Sequence, residues 1–316
     1  MNPSNNKLVY NPEEIDFGKL LSVLYISKKF IFIITSLFAL ISLLYSLNQP
    51  NVYTSETLLR SASSSNSGLA SQYGGMAAIA GINISGNGND EFEVALAMLK
   101  SKKLVSQLMI YETFLPDLIA AKNWDMANNT ITYSTTLYDA NTNKWVRKTS
   151  MPLKQIPSSQ EAFPLFSNLV SVNHDKKNNL VTLKVSHISP FVAQQWAIWI
   201  VKEVNVLLAN IKIQESQASI DYLNNQIKIT PYAELRTMFY ELIQESTKNI
   251  MLAKVNPEYA LATIDPPLAP EIKSKPQRAF ICIMGTIFGV ILSIIYLLIR
   301  YFVFSKDTEL NLLYWK

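Results

Sequence analysis

Two stretches that carry no Asp, Glu, Lys or Arg constrain this chain more than any other feature. The first runs Phe30–Gln49 (FIFIITSLFALISLLYSLNQ) and the second Ala279–Ile299 (AFICIMGTIFGVILSIIYLLI). Twenty helical residues cover about 30 Å, the thickness of the hydrocarbon core of a bilayer. A cleaved signal peptide fits the first poorly: its apolar run exceeds an h-region, 29 residues precede it, and no A-x-A site follows. A buried core helix fits neither, because both are long and neither has a polar face. The expectation is two uncleaved membrane anchors.

The Lys/Arg bias sets an orientation. Lys19, Lys28 and Lys29 precede the first span, and Arg60 stands alone near its far end. The N-terminus is therefore expected in the cytoplasm. Two spans return the C-terminus there, and the segment between them lies outside the cytoplasmic membrane. The expected division is a cytoplasmic segment 1–29, spans at 30–49 and 279–299, an extracytoplasmic domain 50–278, and a short cytoplasmic tail 300–316. The expected fold class is α+β: a small mixed sheet with a long protruding helical hairpin, flanked by two transmembrane helices.

Charge and composition exclude several functions. Of all residues 16% are charged, against about 25% in typical soluble domains. Between residues 51 and 278 there are 21 Lys+Arg and 19 Asp+Glu, a net of +2, which leaves no electrostatic footprint for nucleic acid. Cys282 is the only cysteine, so no disulfide scaffold exists. His174 and His187 have no Cys or carboxylate at ligand spacing and read as surface or half-buried strand residues. No G-x-S-x-G elbow accompanies the Ser, His and Asp residues, and Asp90, Glu91 and Glu93 read as charges that favour a helix N-terminus. The expectation is no enzyme, no metal and no cofactor.

Between the spans, Asn51–Arg60 reads as a strand. Ser61–Ser67 reads as a mobile loop, and Met76–Ile84 as a short docked helix. A helix capped by Asn89 or Asp90 is predicted over Glu91–Met109, with Val94, Met98, Val105 and Met109 at helical spacing. Ile131–Tyr138 and Lys144–Thr149 flank a turn at Asp139–Asn143, and Gln160–Leu169 forms an amphipathic helix. Asn168–Asn173 and Leu180–His187 form a second hairpin around Asp175–Asn179.

Ser189 and Pro190 then start a helix that nothing breaks before Pro231. Its apolar seam (Ala193, Ala197, Ile200, Val204, Leu207, Ile211) steps by threes and fours. A second seam (Ile220, Leu223, Ile227) follows on another phase. A further helix is predicted after Thr230-Pro231, to about Lys254, with Leu235, Phe239, Leu242, Ile250 and Ala253 inward. Together these form a helical hairpin over about 190–254, with more apolar seam than one small domain can cover. Neighbouring copies are the expected cover, and Ile200, Val204, Leu207, Ile211, Ile220, Leu223 and Ile227 are the candidate oligomer contacts. Trp196 and Trp199 read as packing residues, with a sugar-stacking platform as the alternative.

Glu258–Ile264 reads as a last strand. Pro266, Pro267, Pro270 and Pro276 then make an extended lead into the second span. In that span Gly285-x-x-x-Gly289 allows close helix packing, against the first span or against a partner.

Several of these segments, in this order, resemble one family. They are Gly68–Gly81 (GLASQYGGMAAIAG), Leu99–Ile110, Ser189–Asn205, Ser216–Ile227, Met251–Ala253, and Tyr259–Arg278 fused to the Gly285/Gly289 span. The chain resembles the Wzz-type chain-length determinants, the polysaccharide co-polymerases of bacterial inner membranes. The resemblance implies a periplasmic α/β base with a long helical extension, assembled as a homo-oligomeric ring. It implies a role in setting the modal length of O antigen or a related glycan, made by a Wzy-type polymerase from undecaprenyl-linked repeats. Larger relatives carry a fused kinase with a Walker A loop; none occurs here, so kinase activity is not implied. An envelope export or secretion adaptor is the alternative.

Overall fold

The computed structural model describes residues 25–62 and 88–304. Of the loop read at Ser61–Ser67, Ser61 instead ends a strand; Ser63–Ser67 and the readings of Gly68–Gly81 and Met76–Ile84 lie outside the described residues. The chain divides into two compact units, Asn51–Ser274 and the two terminal segments that carry the apolar stretches.

In the terminal unit, helix α1 (Lys28–Asn48) packs on helix α8 (Arg278–Phe304). Both are long and apolar enough to cross a membrane. Most of their large side chains, such as Phe32, Leu44, Phe280 and Ile291, are exposed. A soluble protein rarely leaves so wide an apolar surface open, and lipid is the medium that tolerates it.

The other unit begins with β1 (Tyr53–Ser61), the strand read at Asn51–Arg60. Two helices, α2 (Gly88–Leu99) and α3 (Lys102–Leu108), stand where one was predicted over Glu91–Met109. Lys100 and Ser101 interrupt it, and the Ser101 hydroxyl accepts from the Leu104 N–H to cap α3. Asn89 and Asp90, expected just before the helix, fall inside the range of α2. The inward face of α2 is Phe92, Ala95 and Leu99, whereas Val94 is exposed.

Next come α4 (Phe114–Ile119), β2 (Ala121–Asp125), β3 (Thr130–Tyr133), β4 (Tyr138–Asp139) and β5 (Lys144–Trp145). The predicted pairing of 131–138 with 144–149 is thus two smaller hairpins, β2–β3 and β4–β5. Helix α5 (Ser159–Leu169) carries a capping box between Ser158 and Glu161. It leads into β6 (Val170–Asp175) and β7 (Leu180–His187).

Three hairpin turns share one construction. In Asp125–Asn129, Asp139–Asn143 and Asp175–Asn179 the Asp Oδ1 accepts from the backbone N–H two residues on. Its Oδ2 accepts from the side chain three residues on: Asn128, Thr142 and Asn178 respectively. The Asn that closes each turn has φ of 50°, 52° or 55°, a left-handed conformation that asparagine tolerates.

The main sheet has the order β6-β7-β1-β8, where β8 is Leu261–Asp265. Every neighbouring pair is antiparallel, which corrects the expected mixed sheet. The reason lies in the connections: β6 and β7 join through a tight turn, and no βαβ crossover links adjacent strands. Tyr53 lies opposite His187, Ser55 opposite Val185, Thr57 opposite Leu183 and Leu59 opposite Val181. All eight are buried, so one sheet face meets the core. On the other face the Thr54 and Ser186 hydroxyls bond each other, and Lys184 pairs with Glu56 in solvent.

Helix α6 (Pro190–Ile229) covers the buried face. Its 40 residues reach about 60 Å at about 1.5 Å each. The Ser189 hydroxyl accepts from the Val192 N–H, and Pro190 occupies the first turn, as predicted. Residues 230–232 lead into α7 (Ala233–Val255), which packs on α6 through Leu223, Met238, Phe239 and Leu242.

Candidate functional site

The features that bear on function are the long helix, the proline-rich segment and the paired apolar helices. Helix α6 is first of all a core element. Trp196, Ala197, Ile200 and Val204 are fully or almost fully buried in the main cluster, with Leu59, Val181, Leu183 and Leu261, and Ala193 is buried as well. Ile200, Val204 and Leu207 were expected as oligomer contacts. The structure corrects that expectation, because the chain's own sheet and helices cover them. The seam phase that marks a helix–helix contact is the same phase that marks a helix on a sheet, so spacing alone could not separate the two. Leu223 is likewise covered, by α7. Ile211, Ile220 and Ile227 are half-buried.

Polar residues within the seam pin α6 in register. Asn205 is buried, donates to the Leu261 carbonyl and accepts from the Ala260 and Leu261 N–H groups. The Glu203 carboxylate accepts from Gln107 and from the Tyr111 hydroxyl at 2.7 Å. Burial, that bond and the nearby Glu203 charge push Tyr111 up to about 12. Lys212 pairs with Glu91 at 2.7 Å, and Tyr259 donates to the same carboxylate oxygen. Sequence reasoning missed Asn205 and Glu203. The available signal was two polar residues beside a run of Val, Leu and Ala, where an unpaired polar group would be costly.

Past Lys212 the long helix has α7 as its helical cover. Along this part, Tyr222, Ile229, Tyr232, Tyr240, Met251, Leu252 and Val255 are exposed, Ile229 at 73% and Val255 at 79%. The uncovered apolar surface of the pair therefore exists, but on residues other than those expected.

The proline-rich segment docks along β1. The buried Ser55 and Thr57 hydroxyls donate to the Leu268 and Asp265 carbonyls, and Gln194 donates to the Pro267 carbonyl. The Ser274 N–H donates to Val52. Proline offers no N–H, so side-chain donors from β1 and α6 hold the segment through its carbonyls. Pro267 is buried, Pro266 exposed, and Pro270 and Pro276 half-buried.

In the terminal unit the two glycines face α1. A Cβ on Gly285 would collide with Ser42 Cβ and lie 2.7 Å from Ser42 Oγ; one on Gly289 would lie 2.8 Å from Phe38 Cβ and 3.3 Å from Thr35 Cα. Only glycine permits that approach. Phe38 meets Phe288 edge-on at 5.9 Å, and Phe30 stacks on Tyr296 at 5.3 Å, so the helices run antiparallel. Ser42 and Ser293 donate to the Ala39 and Val290 carbonyls within their own helices. The glycine face is occupied from within the chain, and a partner protein would have to use another face.

His187 is buried, not on the surface or half-buried as expected. Its Nδ1 accepts from the Ser189 N–H, so its Nε2–H donates to the Asp117 carbonyl at 3.0 Å. Burial holds its pKa below the usual value, in keeping with that neutral tautomer. The neighbouring Asp117 is buried too. Burial raises its carboxyl to about 6, partly offset by the Tyr133 hydroxyl, which donates at 2.6 Å. Among the described residues no group of three metal-ligating side chains forms.

Residues 13–112 match the sequence profile of the Wzz family, described as chain length determinant protein. The match spans α1, β1, α2 and α3 and bears out the resemblance for that stretch. A solved structure of a full-length bacterial polysaccharide co-polymerase is similar at 13% identity, with a TM-score of 0.41, covering 93% of this chain and 100% of that chain. A search of the curated proteins finds no match.

Two outcomes follow. A Phe38→Cys/Phe288→Cys pair should form an oxidative cross-link in the parent chain and lose most of it when Gly285→Leu is added. Equal cross-linking in both would show that the helices need no glycine there. For Asp117, the native state binds its proton more tightly than the unfolded chain does. That contribution to stability is complete below about pH 3.8 and is lost as the pH rises to about 6. Asp117→Asn cannot ionise, so its thermal midpoint should exceed the parent's at pH 7.5, by up to roughly 3 kcal/mol of stability. The gap should close by pH 4; a gap independent of pH would mean that burial does not hold this carboxyl neutral.

Proposed function

We propose that this chain is a non-enzymatic regulator in the bacterial inner membrane that sets the modal length of a surface polysaccharide, O antigen or a related glycan. The match of residues 13–112 to the chain length determinants carries this reading, and the two membrane-length helices fit it. The bias of Lys19, Lys28 and Lys29 toward one side of the first span supports an N-terminus in the cytoplasm and residues 50–278 in the periplasm.

Copies of the chain assemble into a ring. Helices α6 and α7 act as a helical hairpin, and its exposed residues Tyr222, Ile229, Tyr240, Met251 and Val255 meet the next copy, with Ile211, Ile220 and Ile227 at the margin. An apolar surface of this extent is stable in water only when covered. The ring holds a Wzy-type polymerase and its undecaprenyl-linked glycan, and the polymerase contact uses lipid-facing sides of the spans. Pro266, Pro267, Pro270 and Pro276 form the stiff link that couples the sheet to the second span.

The test is the glycan ladder on a gel. Deleting the gene should broaden or shift the length distribution while polymer is still made. An unchanged ladder, or normal chain lengths with failed export, would overturn the reading.

A further inference from the structure

A cleft of about 240 Å³ opens in the domain between α4, the start of β3 and the first turns of α6. Asp117 and Trp196, described above, form part of its wall. Its walls combine two kinds of group. Phe191 is half exposed, and Trp199 is held rigid by stacking on Tyr111, with ring centroids 4.0 Å apart and planes 6° from parallel. Around these rings stand Thr113, Gln195 and Asp117.

These polar groups are left available. The side chains of Thr113 and Gln195 make no hydrogen bond among the described residues, and Tyr133 engages only Oδ1 of Asp117. Trp196, which also lines the cleft, is 1% exposed, and its indole N–H has no acceptor among the described residues. Buried donors are normally satisfied, so this indole is an anomaly in a residue of the wall. Asp117 adds a second anomaly. Burial raises its carboxyl to about 6, so ionising it there costs stability, and groups shifted in this way gather at binding sites.

An aromatic surface ringed by free hydroxyl, amide and carboxyl groups matches one chemical class. A pyranose has a C–H face that lies on aromatic rings and an edge of hydroxyls that both donate and accept. A lipid tail would leave the polar groups unpaired, and a nucleic acid would meet a buried carboxyl and no cation. We propose that this cleft binds one sugar ring of a glycan, with Phe191 and Trp199 against its C–H face and Asp117, Gln195 and Thr113 on its hydroxyls. The choice of glycan as ligand rests on the proposed function; the cleft and its unpaired groups do not.

The experiment uses the full-length protein in detergent. Glucose, galactose, N-acetylglucosamine and oligosaccharides released by mild acid from the producing cell's surface polysaccharide are titrated in turn. Tryptophan emission and saturation-transfer NMR are the readouts. At least one saccharide should bind saturably and change the emission. Phe191→Ala and Gln195→Ala, both at exposed positions, should each weaken binding about tenfold or more at an unchanged thermal midpoint, and Phe191→Tyr should retain it. Saturable binding by none of the probes, or binding that both Ala variants leave intact, overturns the inference. The gene-deletion ladder separates the two proposals: a ladder that responds without any sugar binding sinks the cleft and spares the regulator, and binding with an unresponsive ladder does the reverse.

Discussion

The domain depends on a single helix asked to do two things. Over its first five turns α6 is the spine of the core, filled on one side by the sheet and fixed in register by Asn205 and Glu203. Beyond Lys212 the same helix has left the sheet, with α7 packed on it through Leu223, Met238, Phe239 and Leu242. A pair of helices buries one stripe of each and leaves the rest to solvent. Here the rest includes Ile229, Tyr240, Met251 and Val255. The first half builds the core of the domain, and the second half carries the uncovered apolar surface.

A comparable economy governs the two helices long and apolar enough to cross a membrane. In lipid no hydrophobic drive brings them together, so contact rests on close approach. Gly285 and Gly289 provide it against Ser42, Phe38 and Thr35, joined by the Phe38–Phe288 and Phe30–Tyr296 aromatic pairs. Most of the other large apolar side chains, such as Phe32, Leu44, Phe280 and Ile291, face outward, where lipid or another protein can meet them.

Much of this was legible from the residues. The long helix from Pro190 needed only Ser189 before it and Pro231 after it, two signals with direct steric causes. The strand Leu180–His187 followed from strict alternation, because one face of the sheet is core. Other parts were hidden for physical reasons. Ser101 divides the helix predicted over Glu91–Met109, yet a serine in a helical pattern does not announce a cap unless the chain also bends there. The Asp125–Asn129 turn repeats the construction of its two recognised counterparts, but Met126 and Ala127 disguise its composition. The buried roles of Ile200, Val204 and Leu207 are the most instructive: periodicity reveals that a face is covered, not by what. The cleft beside Trp196 was hardly accessible to sequence reasoning, since its walls come from α4, β3 and α6 and meet only in the fold.

The central claim is that the uncovered surface of α6 and α7 is closed by further copies of this chain. Native mass spectrometry of the full-length protein, released from the membrane in a mild detergent at cellular abundance, tests it most directly. A single discrete assembly of several copies, dispersed by Tyr240→Asp with Val255→Asp while each domain stays folded, is the result the account requires. A protein that flies as one copy under the same conditions would contradict it.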